Sequence, residues 1–128
     1  EVLEQLTQIQ RREDIKVTLS VMVSVDYEGM YYPAAIQNLS AGGVFLVSSL
    51  VAMAGEQLSF NFDREGISIP LTAEILRVEL QVNNNGRSAY GYGCRFINLP
   101  PNYEAQLRSF VFQEARLFYR GKKPKDDD

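Results

Sequence analysis

Histidine is absent from the 128 residues, and cysteine occurs once, as Cys94. The two shortages exclude disulfides, Cys/His zinc sites and every catalytic scheme built on an imidazole. A chain so poor in cysteine fits a reducing, cytoplasmic home. No stretch approaches the roughly 20 apolar residues of a membrane span, and the basic-then-apolar pattern of a signal peptide is missing. Positive charge is in deficit, with 13 Lys and Arg against 16 Asp and Glu and a net charge of -3. Such a surface lacks the clustered positive charge that polymeric nucleic acid needs, so any anion site must be local. The start at Glu1-Val2-Leu3, without an initiator methionine, suggests a processed end or a piece of a longer protein.

What the chain does have is a 45% apolar content in the length of one ordinary domain, enough for a core without metal or disulfide. Ile15, Val17, Leu19, Val21, Val23 and Val25 fall on alternate positions, the pattern of a half-buried strand. Further strands are predicted over 31–37, 43–47, 57–62, 67–78 and 89–97, separated by turn signals such as Asp26-Tyr27-Glu28-Gly29 and Asp63-Arg64-Glu65-Gly66. Six short strands at this spacing predict a small antiparallel β-barrel or sandwich. Gly91 and Gly93 suit a sharp bend or bulge at a barrel corner. Pro100-Pro101-Asn102 then opens a helix, with Asn102 as N-cap, the apolar positions Leu107, Phe110, Val111, Ala115 and Phe118 along one face, and Gly121 as its stop. Residues 122–128 are charged and proline-broken, and are expected to be disordered. Residues 1–9, with Val2, Leu3, Leu6 and Ile9, read as a linker or the end of an absent upstream domain.

Two polar segments precede strands: Gln10-Arg11-Arg12-Glu13-Asp14-Ile15-Lys16-Val17 before the first and Asn38-Leu39-Ser40-Ala41-Gly42-Gly43 before the third. At strand entries of a small barrel they can meet at one rim. Arg11 and Arg12 offer two planar forks matched to a phosphodiester and able to stack on a purine. Asn38 and Ser40 offer groups that read a base edge. Gly42 and Gly43 allow positive φ and let a flat ring approach the backbone. Together they suit a ligand that is both anionic and aromatic. Taken singly, the arginine pair also reads as a solvated charge run, and Asn-x-Ser with glycines as an Asx or Ser turn.

The spacing Arg-Arg-x-x-x-Lys at Arg11 to Lys16, Asn-x-Ser-x-x-Gly at Asn38 to Gly43, and the closing Tyr92-Gly93-Cys94-Arg95-Phe96-Ile97-Asn98-Leu99 resemble the PilZ domain. The resemblance covers about residues 10–118 in order. It implies a six-stranded antiparallel β-barrel with a C-terminal α-helix, over residues 10–121, that binds the bacterial second messenger cyclic di-GMP (c-di-GMP). The second signature is complete, whereas in the first Arg12 matches the leading arginine and Lys16 stands where the second is expected. By the same resemblance Arg12 contacts phosphate and stacks on guanine, Lys16 is a point-charge substitute, and Asn38 and Ser40 recognise a guanine edge. Gly43 shapes the loop, and Arg11 engages an intercalated nucleotide dimer. Ile9 to Asp14 and Phe110 to Gly121 further resemble the flagellar-brake branch, whose partner is the flagellar motor or another effector protein.

The resulting expectation is a non-catalytic c-di-GMP receptor, without metal or cofactor, that controls motility or a related surface process. The alternative is a PilZ-like interaction adaptor that binds no nucleotide, for which Lys16 is the pointer. The carboxylates Glu13/Asp14 and Asp63/Glu65 lie in a charge run and a hairpin turn and do not read as a catalytic pair. Tyr27, Tyr31, Tyr32, Tyr90 and Tyr92 lack the basic groove of a single-strand-binding barrel. Cys94 is expected to be a buried structural thiol.

Overall fold

The structure, a computed structural model, describes residues 15–82, 86 and 88–122, the last five by their backbone alone. Its elements are β1 (Val17–Tyr27), β2 (Met30–Leu39), β3 (Gly43–Ser48), β4 (Gln57–Arg64), β5 (Ile67–Val82), β6 (Ser88–Phe96) and the helix α1 (Pro101–Lys122). The strands close into an antiparallel barrel in the order β1-β2-β3-β6-β5-β4.

The tight hairpins come from local chemistry. Glu28-Gly29 (φ 53 and 82) and Glu65-Gly66 (φ 52 and 86) carry positive φ at both central positions. That backbone twist matches the right-handed twist of the flanking strands. Alternation fills the interior. Val25, Ile36, Leu46, Phe62, Ile69 and Leu71 are almost fully buried, each contributing about 1.5–3 kcal/mol through removal from water.

Two irregularities in that alternation decide what the outside of the barrel displays. Ile36 pairs with Leu46 but Asn38 pairs with Phe45, so Gln37 is an extra residue in β2. Ile36 points inward, Gln37 and Asn38 both leave the interior, and Leu39 returns to it. In β5, Ile75 pairs with Cys94 and Arg77 with Gly93, which makes Leu76 the extra residue. A bulge shifts the side-chain phase by one. Without these two, Asn38 and Arg77 would face the core.

Tyr92, 1% exposed on the inner face of β6, ties the β3–β4 connection to the barrel. Its hydroxyl donates to the Leu50 carbonyl and accepts the Ala52 N–H at 3.0 Å. Helix α1 packs on the barrel through Leu107, Phe110 and Val111, with Phe110 edge-on to Phe62 at 5.1 Å. Its first residue is Pro101 and the Pro100 carbonyl accepts the Glu104 N–H at 2.8 Å, so Asn102 is not the N-cap. Proline at the first helical position loses no hydrogen bond and is already set to a helical φ, which moves the start two residues earlier than an Asn102 cap would place it. At its other end the helix includes Gly121 and Lys122. Among the described residues no helix is long and apolar enough to cross a membrane.

Candidate functional site

The chain crosses from β2 to β3 in a turn organised by Ser40, which is 7% exposed. Its hydroxyl accepts the N–H groups of Gly42 (3.2 Å) and Gly43 (3.0 Å) and donates to the Gly43 carbonyl (3.3 Å). The Ser40 N–H donates to that same carbonyl at 2.9 Å, and the Gly42 carbonyl accepts the Phe96 N–H at 2.9 Å, which fastens the turn to β6. The local-turn reading of Asn-x-Ser therefore holds for the serine. Its hydroxyl shapes the loop.

Gly43 is required for space. It does not adopt the left-handed backbone; a Cβ there would stand 2.3 Å from the Cys94 carbonyl oxygen across the β3–β6 ladder. Neither Gly42 nor Gly43 has a positive φ, so that expectation gives way, at Gly43 to a close approach of two backbones.

Lys16, Asn38, Ser40, Gly42 and Gly43, from two segments more than twenty residues apart in sequence, line one outer concavity of about 580 Å³. Arg11 and Arg12 lie outside the described residues, as do Glu13 and Asp14. The same concavity is also lined by Phe45, Arg77 and Arg95, none of which sequence reasoning singled out as site residues. Arg95 follows Gly91 and Gly93 on the outward phase of β6, so simple alternation could have found it. Arg77 could not be found that way, because the Leu76 bulge reverses its phase.

Three cations therefore border the concavity. Arg95 donates from Nε (3.0 Å) and Nη2 (2.6 Å) to Glu74, and Arg77 donates from Nε to Glu79 at 3.0 Å. Exposed pairs of this kind are worth about 0–1 kcal/mol, so a phosphate can compete with either carboxylate. The Arg77 guanidinium also lies 5.9 Å from the centroid of the Phe45 ring. Arrayed in this way, the walls offer forks for an anion, an amide for a base edge and an aromatic ring beside them.

Gly91 and Gly93 prove to be neither a corner nor a bulge. The bulge sits on the neighbouring strand, and the two glycines leave room for side chains lying across them. A Cβ at Gly91 would stand 2.4 Å from Cζ of Phe45, and one at Gly93 2.9 Å from Nη1 of Arg77.

Cys94 points to the interior, with Sγ 3.7 Å from the Tyr92 carbonyl. Burial pushes its thiol up to about 12, against a smaller opposing pull from Arg77, which agrees with a structural role. Tyr92 is buried, while Tyr27 donates to Glu56 at 2.7 Å and packs edge-on to Tyr32 at 6.3 Å, so the tyrosines form no common exposed platform. Asp63 accepts from Ser68 and Glu65 stands 4.0 Å from Arg64, both in their hairpin. Among the described residues no three His, Cys, Asp or Glu side chains group to hold a metal.

The family model of the PilZ domain matches residues 10–113. No curated protein matches the chain. Among solved structures, the PilZ domain with c-di-GMP of YcgR from Escherichia coli is similar at TM-score 0.63 and 14% identity, over 85% of this chain and 95% of that one. The Bacillus subtilis inhibitor of motility MotI/DgrA is similar at TM-score 0.64 and 15% identity, over 86% of this chain and 52% of that one. The Borreliella burgdorferi PlzA protein in complex with c-di-GMP gives TM-score 0.55 and 18% identity, over 86% and 45%. The chain thus spans about half the length of the last two.

Proposed function

The chain belongs to the PilZ domain family, and from that premise we propose that it is a c-di-GMP receptor domain whose occupancy controls motility or a related surface process. The observation that carries the reading is the convergence of Lys16 with Asn38, Ser40, Gly42 and Gly43 on one concavity walled by two further arginines. The ligand is a twofold anion carrying two purines. Forks, an amide edge and an aromatic ring are the groups that such a molecule needs.

In this reading the Asn38 side chain takes the base edge, while Ser40 acts by holding the Gly42–Gly43 backbone in place. Lys16 adds a point charge at the rim, Arg12 is assigned the phosphate and guanine contact, and Arg11 the contact to an intercalated nucleotide dimer. In this reading residues 10–121 are the receptor unit. The output in this reading is binding rather than turnover.

Calorimetry with c-di-GMP and with GTP tests the proposal. Saturable heat with c-di-GMP and none with GTP is the expected result. Binding of GTP alone, or nucleotide turnover, would overturn it. A second reading, an adaptor that binds no nucleotide, is favoured by the internal engagement of Ser40 and the carboxylate pairing of Arg77 and Arg95. It predicts no heat with c-di-GMP at any attainable concentration.

A further inference from the structure

Arg77 reaches the concavity only through the β5 bulge at Leu76. Once outside, its side chain is 61% exposed, yet part of it is seated on the neighbouring strand. It lies along the bare backbone of Gly93, where a Cβ would be 2.9 Å from Nη1 and 3.0 Å from Cζ. Beside it, Phe45 lies over Gly91 in the same manner, and the guanidinium carbon is 5.9 Å from that ring's centroid. Two successive outward positions of β6 are thus empty, and their space is filled by one cation and one aromatic ring from the flanking strands.

Glu79 takes Nε of Arg77 at 3.0 Å, which leaves the two Nη groups without a partner among the described residues. An ion pair with Glu79 alone requires no glycine beneath it, since any outward arginine two residues away could form it. The glycine seats, the aromatic neighbour and the fixed Nε together orient a fork at the edge of a cavity. An oriented guanidinium loses less freedom on binding than a flexible one.

Lys16, which lines the same concavity, cannot supply a fork. It is exposed and carries an ammonium, a point charge with no planar face. We propose that Arg77 contacts the ligand, and that it supplies from β5 the second guanidinium whose place in the first signature Lys16 occupies. The proposal rests on the reading of this concavity as the c-di-GMP site.

Titration calorimetry of c-di-GMP into the 128-residue chain, with thermal melting to verify folding, tests it. Arg77→Ala is expected to bind about tenfold more weakly or worse, the scale of one lost charge-assisted contact. Arg77→Lys, which keeps the charge and removes the fork, is expected to recover only a minor part of that loss. Gly93→Ala lifts Arg77 from its seat and is expected to weaken binding severalfold while Arg77 itself remains. If Asn38→Ala loses binding while Arg77→Ala stays within about twofold of wild type, the reading of the site stands and the role of Arg77 is overturned. Full recovery in Arg77→Lys would overturn the fork as well. If the wild-type chain does not bind c-di-GMP, the reading itself falls and this proposal falls with it.

Discussion

The two faces of β6 follow opposite rules. Inward it carries Tyr92 and Cys94, buried, with the tyrosine hydroxyl making two hydrogen bonds to the chain that crosses the barrel end. Outward it carries Gly91, Gly93 and Arg95, the first two being bare floor beneath Phe45 and Arg77. The inner face stabilises by filling space, and the outer face organises a site by leaving space empty. If the concavity is the site proposed above, a single strand of nine residues separates stability from recognition by parity alone. Substitutions on the two faces should accordingly fail in different assays.

The largest effect is expected where that separation breaks down. Gly43, across from Arg95, meets β6 backbone rather than a side chain, with the Cys94 carbonyl 2.3 Å from any added Cβ. A carbonyl in a ladder cannot swing aside as Phe45 or Arg77 can. Gly43→Ala should therefore part β3 from β6, costing about 3 kcal/mol, the upper end for an overpacked position. Both thermal melting and ligand binding should suffer. A Gly43→Ala protein that melts like wild type would show that the seam is looser than its backbone spacing indicates.

Next in size is Tyr92→Phe. The ring still fills its place, but the Ala52 N–H and the Leu50 carbonyl lose their partner in a buried setting. Leaving such groups unsatisfied costs about 1–3 kcal/mol. The loss should appear in denaturant unfolding, with c-di-GMP affinity unchanged, because the hydroxyl faces away from the concavity. Weakened binding in this variant would argue that the two faces are coupled, contrary to the division drawn above.

These devices were unequally legible in the sequence. Strict alternation in residues 15–25, and the turn signals at Asp26 to Gly29 and Asp63 to Gly66, foretold β1 and both tight hairpins because each depends on neighbours in the chain. The Leu107, Phe110 and Val111 face of α1 was legible for the same reason. Gln37 and Leu76 gave no warning. A bulge is a property of the register between two strands, and nothing in either residue's chemistry announces an extra position. Asn38 was found through its motif, whereas Arg77 has none and was missed. β5 also runs to Val82 rather than stopping at Val78, since Glu79–Val82 pair with residues 88–91 of β6 beyond the end of β4. That extension is again decided by the partner strand. Gly91 and Gly93 were legible as anomalies, but their cause lies in side chains from β3 and β5.

The smallest effect concerns the second tether of the same crossing segment, and it shows how exposure scales a tyrosine's contribution. Glu56 accepts from the Tyr27 hydroxyl at 2.7 Å and from the Met53 N–H at 2.8 Å, so the connection is held by buried Tyr92 on one side and by solvent-facing Tyr27 on the other. The bond from Tyr27, followed by that from Met53, holds the Glu56 carboxyl below its usual range, while the bond to Glu56 pushes Tyr27 up to about 12. A carboxyl depressed on folding adds stability above its unfolded pKa of 4.5, and that stability disappears as the pH falls through the lower, folded value. A phenol raised on folding adds stability below its unfolded pKa of 10.0, which disappears as the pH rises through about 12. The tether is therefore complete between these limits and lost beyond them. Tyr27→Phe should lower the melting temperature slightly and evenly across neutral pH, by less than Tyr92→Phe does. The gap to wild type should close at acid pH, as Glu56 takes up its proton and the wild type loses the same bond. Melting curves of the two proteins from neutral to acid pH decide the matter. A gap that persists unchanged once Glu56 is protonated would mean that the Tyr27 hydroxyl acts through another partner.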